Sequence, residues 1–344
     1  MSESDIDEVA PEAAPKKKRK GWKITVIILT VLLALVIAAA AAIGFFANRA
    51  INSMQSFGNP FEEITNRPSV ASVESGDKAP VNVLIMGSDS RISAGDPNDW
   101  KFGAQRTDAL MIIQISGDRE HISVMSIPRD SWVEVPGYGM NKINAAFSYG
   151  GAPLTIETVE QVTGIRIDHI AVVDFMAFTK LTDIVGGVTL ETAEGPQKMG
   201  GEAALEYVRE RYSLPRGDFD RVRRQQAWMK AVLSQLLTRE TLSSPGNIVD
   251  ITDTMSKNVA IDEDLGINKI ISIGTSLSDF NKNNLIFFTA PVTGTGTSDD
   301  GQSIVLLDED KLASVSEAFQ QDDVSTFMEE NESDFDTLSG RPVD

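Results

Sequence analysis

Residues 207–226 read YVRERYSLPRGDFDRVRRQQ and hold Arg209, Arg211, Arg216, Arg221, Arg223 and Arg224 in a chain whose formal net charge is -19. So dense a basic cluster repels itself unless carboxylates or a bound anion compensate it. The chemistry it points to is recognition of a phosphorylated substrate. The spacing sets conditions on the backbone. Arg209 and Arg211 are separated by about 200° on a helix but share a face in an extended segment. Both reach one ligand only if the helix beginning at residue 200 stops near Tyr207, so an extended Arg209/Arg211 arm is expected. Pro215 and Gly217 then force a turn. Asp218 is expected to cap the next helix, which carries Arg221 and Gln225 on one face with Arg224 close by and offers free N–H groups to an anion. The plainer alternative is a solvated basic helix paired with nearby glutamates.

Two further clusters lie upstream. NVLIMGSDSR at residues 82–91 reads as a strand that ends in glycine and delivers Asp89 and Arg91 at its tip. RTDALMI places Arg106 and Asp108 just before the next strand. Carboxylates at neighbouring strand ends suit Mg²⁺, with Mn²⁺ as a substitute, because Mg²⁺ takes one or two carboxylates plus phosphate and water. Simple pairing of Asp89 with Arg91 and of Asp108 with Arg106 is the alternative. SIPRDSWVEVPGYGMNKINAAF sets Arg129 and Asp130 at the end of an apolar strand, and Lys142 and Asn144 at the opening of a helix.

Several chemistries are excluded or disfavoured. There is no cysteine and only two histidines, His121 and His169, so thiol chemistry is absent and a histidine-based metal site or triad has little to draw on. The acidic balance argues against a nucleic-acid partner. TGTGTSDDG at residues 293–301 lacks the Lys-Ser/Thr ending of a phosphate-binding P-loop and reads as a surface loop. No GxSxG elbow occurs.

The elements that must position these residues alternate. Apolar runs at residues 81–87, 109–115, 121–127, 167–173, 188–192 and 285–290 read as strands, interleaved with helical patterns at 143–149, 154–162, 175–184, 218–237, 248–258, 267–277 and 311–320. That alternation predicts an α/β fold, a mixed central sheet flanked by helices, over residues 80–321. The runs ALMIIQI and HIAVVDFMAF read as core, a lipid tunnel being the alternative. Residues 47–79 read as a stalk and 322–344 as a loose acidic tail. Residues 24–46, ITVIILTVLLALVIAAAAAIGFF, are uncharged and as a helix span about 34 Å, enough for a bilayer core. Lysines and Arg19 precede them, so one transmembrane helix is expected in the cell membrane, with a disordered tail at residues 1–23 in the cytoplasm and the remainder outside; a cleaved signal peptide is the alternative.

In this order the motifs resemble the LytR–CpsA–Psr family: NVLIMGSDSR, RTDALMI, SIPRDSWV with KINAAFSYGG, DFMAFTKLTDIVGGV and ALEYVRERYSLPRGDFDRVRRQQ. The resemblance implies an extracytoplasmic α/β enzyme that binds a polyprenyl-pyrophosphate-linked glycan and transfers it, with one phosphate, to a peptidoglycan hydroxyl. It implies that Asp89 and Asp108 sit at a Mg²⁺ site. Arg91, Arg129, Arg209, Arg211, Arg221 and Gln225 would surround the pyrophosphate, with Lys142 nearby and Asp218 orienting arginines. Asp89 is the candidate base for the attacking hydroxyl. A hydrolase using the same site, and a lipid-binding cell-envelope regulator without catalysis, remain alternatives.

Overall fold

The computed structural model describes residues 55–56, 58–71, 78–88, 107–211, 213–238, 241, 244–277 and 280–339. All belong to the unit Ala47–Asp344; the other unit, Met1–Phe46, lies outside them and takes the expected membrane segment with it. Among the described residues no helix is long and apolar enough to cross a membrane.

In chain order the strands are β1 (Gln55–Ser56), β2 (Val81–Ser88), β3 (Thr107–Ile115), β4 (Ile122–Ser126), β5 (Trp132–Val135), β6 (Gly139–Lys142), β7 (His169–Asp174), β8 (Val188–Thr192), β9 (Gly195–Met199), β10 (Val259–Ile261), β11 (Leu285–Thr289), β12 (Val292–Thr297) and β13 (Ser303–Leu307). Seven of them form the central sheet in the order β1-β10-β7-β2-β3-β4-β11. The sheet is mixed: β2 pairs parallel with β7 and antiparallel with β3, and β4 pairs antiparallel with β3 and parallel with β11.

Alternate side chains of the strands enter two layers. Leu84, Met86, Ile112 and Met125 pack with Ile156, Val159, Val315 and Phe319 from the helices Ala145–Thr163 and Glu309–Gln320. On the other face, Met111, Val124 and Phe287 meet Met229 and Leu233 of the helix Asp218–Leu236. Burial on both faces is why β2, β3 and β4 read as unbroken apolar runs instead of polar–apolar alternation.

Three expectations are corrected. Part of the segment read as a stalk is built into the fold: Ile64 is buried, and Arg67 pairs with the buried Glu160 at 2.6 Å. Residues 293–301, read as a surface loop, lie largely in the β12–β13 hairpin, where glycine and threonine alternate with the strand period. The acidic tail is not loose over its described part. Residues 324–331 form a helix whose Val324 and Met328 are buried, and Thr337 bridges to Phe288 of β11. Few apolar residues suffice there because backbone pairing to an edge strand supplies the remaining contacts.

The helix Gly201–Arg209 lies so close to Phe175–Ile184 that a Cβ on Gly201 would stand 2.3 Å from the Thr179 carbonyl oxygen. Gly201→Ala must push the two helices apart. A loss of about 1–3 kcal/mol is expected, read as a lowered urea midpoint; an unchanged midpoint contradicts this contact.

Candidate active site

Because β2, β4 and β7 run one way and β3 the other, the carboxyl ends of the first three and the amino end of β3 share one edge of the sheet. Asp108 is the second residue of β3, opposite the end of β2. Arg129 follows β4 in a turn closed by Ser131, whose N–H and hydroxyl both donate to the Pro128 carbonyl. The β5–β6 hairpin returns the chain to this turn. Ile143 N–H donates to Ser131 O at 2.8 Å, so Lys142 is held beside Asp130.

The helix Asp218–Leu236 brings the remaining charges. Gln226 Nε2 donates to Phe288 O at 3.0 Å and to Ser126 Oγ at 3.0 Å, fixing this helix over the ends of β4 and β11. Trp228 stacks on Phe178 at 3.8 Å and its indole N–H donates to Thr182, locking the same helix laterally. The N-cap is Gly217 and not Asp218, which is the first helical residue. Gly217, at φ 55°, turns the chain where a side chain would be strained. Released from capping, the Asp218 carboxylate points at arginines instead.

The result is a chain of alternating charges. Arg129 donates from Nη1 to Asp108 Oδ1. Its Nε lies 3.7 Å from Asp218 Oδ1 and 3.9 Å from Asp130 Oδ2. Asp218 Oδ1 in turn lies 2.6 Å from Arg221 Nη2, and Lys142 Nζ lies 3.0 Å from Asp130 Oδ1. Arg221 is buried, with 4 % of its surface exposed. Burial lowers its pKa from the ordinary arginine value; Asp218 and Asp108 oppose that shift, and Arg129 and Arg211 add to it. The ion pairs do not satisfy directional bonding. Among the described residues, Arg129 Nε, Arg221 Nε and Nη2 and both Asp218 carboxylate oxygens are buried without a hydrogen-bond partner. Buried charged groups rarely stay so. Arg129 opens onto a cavity of about 520 Å³, which Lys142, Arg211, Asp130 and Asn144 also line. Unsatisfied guanidinium N–H groups beside a basic cavity can bind an oxyanion in forked geometry.

A family model described as the LytR_cpsA_psr family matches residues 52–321. The chain belongs to the LytR_cpsA_psr family. It is 32% identical over 286 residues to the cell wall biosynthesis protein LcpA of Corynebacterium glutamicum, which covers 67% of this chain and 54% of the relative. The chain thus spans about half the length of the corynebacterial relatives it matches. The polyisoprenyl-teichoic acid–peptidoglycan teichoic acid transferase TagU of Enterococcus faecalis is 28% identical over 308 residues, covering 86% of this chain and 96% of the relative. Among solved structures, Bacillus subtilis TagV superposes with a TM-score of 0.59 at 26% identity, covering 72% of this chain and 98% of TagV. TagT bound to LI-WTA superposes at 0.58 and 24% identity, covering 75% of this chain and 96% of TagT, a likeness of fold.

The LytR_cpsA_psr arginine cluster divides by location. Arg211 lines the cavity and Arg221 joins the charge chain, but Arg209 does not share their ligand space. The helix continues through Arg209 before Glu210 turns extended, so helical rotation carries Arg209 away. Its guanidinium lies over the Phe175 ring at 4.5 Å and borders a groove with Glu202, Glu206 and Glu210. The expected extended arm therefore begins too late to include it. Arg216, Arg223 and Arg224 serve the fold: Arg216 pairs with Asp220, Arg223 holds Asp336, and Arg224 covers the Tyr207 ring at 4.0 Å. Gln225 is half-buried and is not among the cavity's lining residues. Lys142 ends β6 instead of opening a helix, which starts at Ala145.

Asp89 and Arg91 lie outside the described residues. Asp108 is partly exposed and Arg129 engages one of its oxygens. A part-exposed carboxylate paired with a cavity-lining arginine fits the way Mg²⁺ is held, by one or two carboxylates with phosphate and water. The three candidate ligands that the described residues do group, Asp118, Glu120 and His121, follow the opposite end of β3. Sequence reasoning missed Gln302 and Asn141, both cavity-lining. The Gly–Thr alternation of residues 293–297 was the available signal for Gln302, since a hairpin there sets the following residues against the Asp130 turn, where Val305 N–H donates to Asp130 O.

Proposed function

We propose that this protein is a phosphotransferase that moves a glycopolymer phosphate from a polyprenyl-pyrophosphate carrier to a peptidoglycan hydroxyl. The observation that carries this is the set of buried guanidinium N–H groups of Arg129 and Arg221 that have no hydrogen-bond partner among the described residues, with Arg129 lining a cavity together with Lys142 and Arg211. A pyrophosphate would satisfy those donors and offset the burial that depresses the Arg221 pKa. Relatives named for cell wall biosynthesis and teichoic acid transfer support the cell-wall setting.

In the proposed reaction the acceptor oxygen attacks the sugar-linked phosphorus. The bond from that phosphorus to the bridging oxygen breaks, polyprenyl phosphate leaves with the bonding pair, and the hydroxyl proton passes to a base, for which Asp89 is the candidate. Arg221, Arg129, Arg211 and Lys142 neutralise the charge that develops, and Asp218 and Asp108 fix the guanidinium planes before substrate arrives. Asp108, with Asp89, would hold Mg²⁺, which would supply further charge neutralisation when bound. The pyrophosphate linkage is already activated, so no nucleotide is needed. That suits a catalytic domain outside the cell, tethered through residues 24–46 with residues 1–23 inside.

Product analysis tests this. Full-length protein in detergent, given synthetic polyprenyl-pyrophosphate glycan and peptidoglycan, is expected to yield a glycan phosphodiester on peptidoglycan. Free glycan phosphate without transfer would make it a hydrolase. Bound donor without turnover would make it a binding protein.

A further inference from the structure

Asp336 follows Arg216 by 120 residues and lies after the last of the charged motifs, yet three parts of the site's scaffold meet on it. Its carbonyl oxygen accepts the Thr289 N–H at 3.0 Å, at the end of β11, where Thr289 stands beside Ser126 of β4. Its Oδ1 accepts from Nη1 of the fully buried Arg223 at 2.7 Å, on the helix Asp218–Leu236. Its Oδ2 accepts from Arg216 Nη1 at 3.3 Å, in the turn before that helix. Sheet, helix and turn are thus joined through one residue.

Arg216 carries this link to the anion site. Its backbone N–H and its Nε each donate to the buried Asp220 at 2.8 Å, so its guanidinium bridges Asp220 and Asp336. The next residue is Gly217, at φ 55°, and the one after is Asp218. Asp218 Oδ1 lies 2.6 Å from Arg221 Nη2 and 3.7 Å from Arg129 Nε. Glycine by itself constrains a backbone weakly, so contacts made by its neighbours must fix the direction in which Asp218 leaves the turn. An exposed ion pair is worth little when both partners have to be ordered to form it. Asp336 is already held by Arg223 and Thr289, so Arg216 meets a fixed acceptor. We propose that Asp336 is a positioning residue for the anion site, acting through Arg216 to hold the turn that aims Asp218 at Arg221 and Arg129. The inference rests on the reading of those arginines as pyrophosphate ligands.

Calorimetric titration of the full chain in detergent with farnesyl pyrophosphate tests this, beside thermal denaturation of each protein. Asp336→Asn preserves shape and removes the charge. It is expected to bind the probe about tenfold more weakly than wild type, because small misplacements set up away from a site are felt strongly within it. Arg216→Ala is expected to show the same loss. The Arg216→Ala/Asp336→Asn double variant is expected to bind no more weakly than either single variant, since both changes break one link. A change of stability alone would not produce that pattern. Losses that multiply in the double variant would show that Asp336 does not act through Arg216, and overturn the proposal. Wild-type affinity in Asp336→Asn, whatever its denaturation temperature, would leave Asp336 a role in the fold alone and overturn it equally. Should Asp336→Asn fail to fold, Arg216→Ala decides by itself: a tenfold loss supports the link and wild-type affinity refutes it. Variants that match wild type defeat only this proposal. Wild type that does not bind the probe defeats the pyrophosphate reading and the proposal with it.

Discussion

Arg221→Ala is expected to slow glycan transfer by about 10²–10³-fold, the usual consequence of removing one pre-set donor from a site where charge develops. Arg221 is the most buried cation of the site, and its Nε and Nη2 have no hydrogen-bond partner among the described residues. Asp218, 2.6 Å away, holds the guanidinium in place without satisfying it. That preparation is made before substrate binds, so the gain falls on the transition state, and kcat is expected to fall more than KM rises. Arg221→Lys is expected to recover little. An ammonium retains the charge but cannot direct two N–H groups in one plane. Steady-state transfer assays with both variants, beside thermal denaturation to show that they fold, check this. Turnover of Arg221→Ala at the wild-type rate would falsify the assignment.

The same geometry explains what the chain revealed in advance. The α/β architecture was legible because β2, β3 and β4 are buried on both faces and so carry unbroken apolar runs. The placement of Arg129 and Asp108 at one edge of the sheet was legible because each stands at the end of such a run, where a charge has no packing role. The limit of the helix before Arg211 was not legible. Nothing between Tyr207 and Tyr212 is a helix breaker, and the stop is set by tertiary contacts: Arg224 lies over the Tyr207 ring and donates to the Tyr207 carbonyl at 3.2 Å. Arg209 was misplaced for that reason. Asp218 was misread for a related one. An aspartate after glycine resembles a cap, but Gly217 takes the cap position and frees the carboxylate for Arg221 and Arg129.

Arg223→Ala is expected to cost about 3 kcal/mol of stability, the lower end of the range for breaking a buried ion pair, since its partner Asp336 is partly exposed and water can replace some of the contact. Arg223 itself is fully buried. Its Nη1 donates to Asp336 Oδ1 at 2.7 Å and to Thr337 O at 2.8 Å, so truncation removes both bonds and leaves a cavity behind it. The consequence extends beyond one residue. Asp336 and Leu338 exchange backbone hydrogen bonds with Thr289 and Phe287, so this segment covers the open edge of β11, and Asp336 also pairs with Arg216 at 3.3 Å, directly before Gly217 and Asp218. The C-terminal segment therefore supports the turn that aims Asp218 at the site. Urea denaturation measures the stability loss, and limited proteolysis is expected to cut the variant first within residues 332–339. A midpoint unchanged from wild type, with no new cleavage there, would show that the segment docks without Arg223 and that this basic residue has some other purpose.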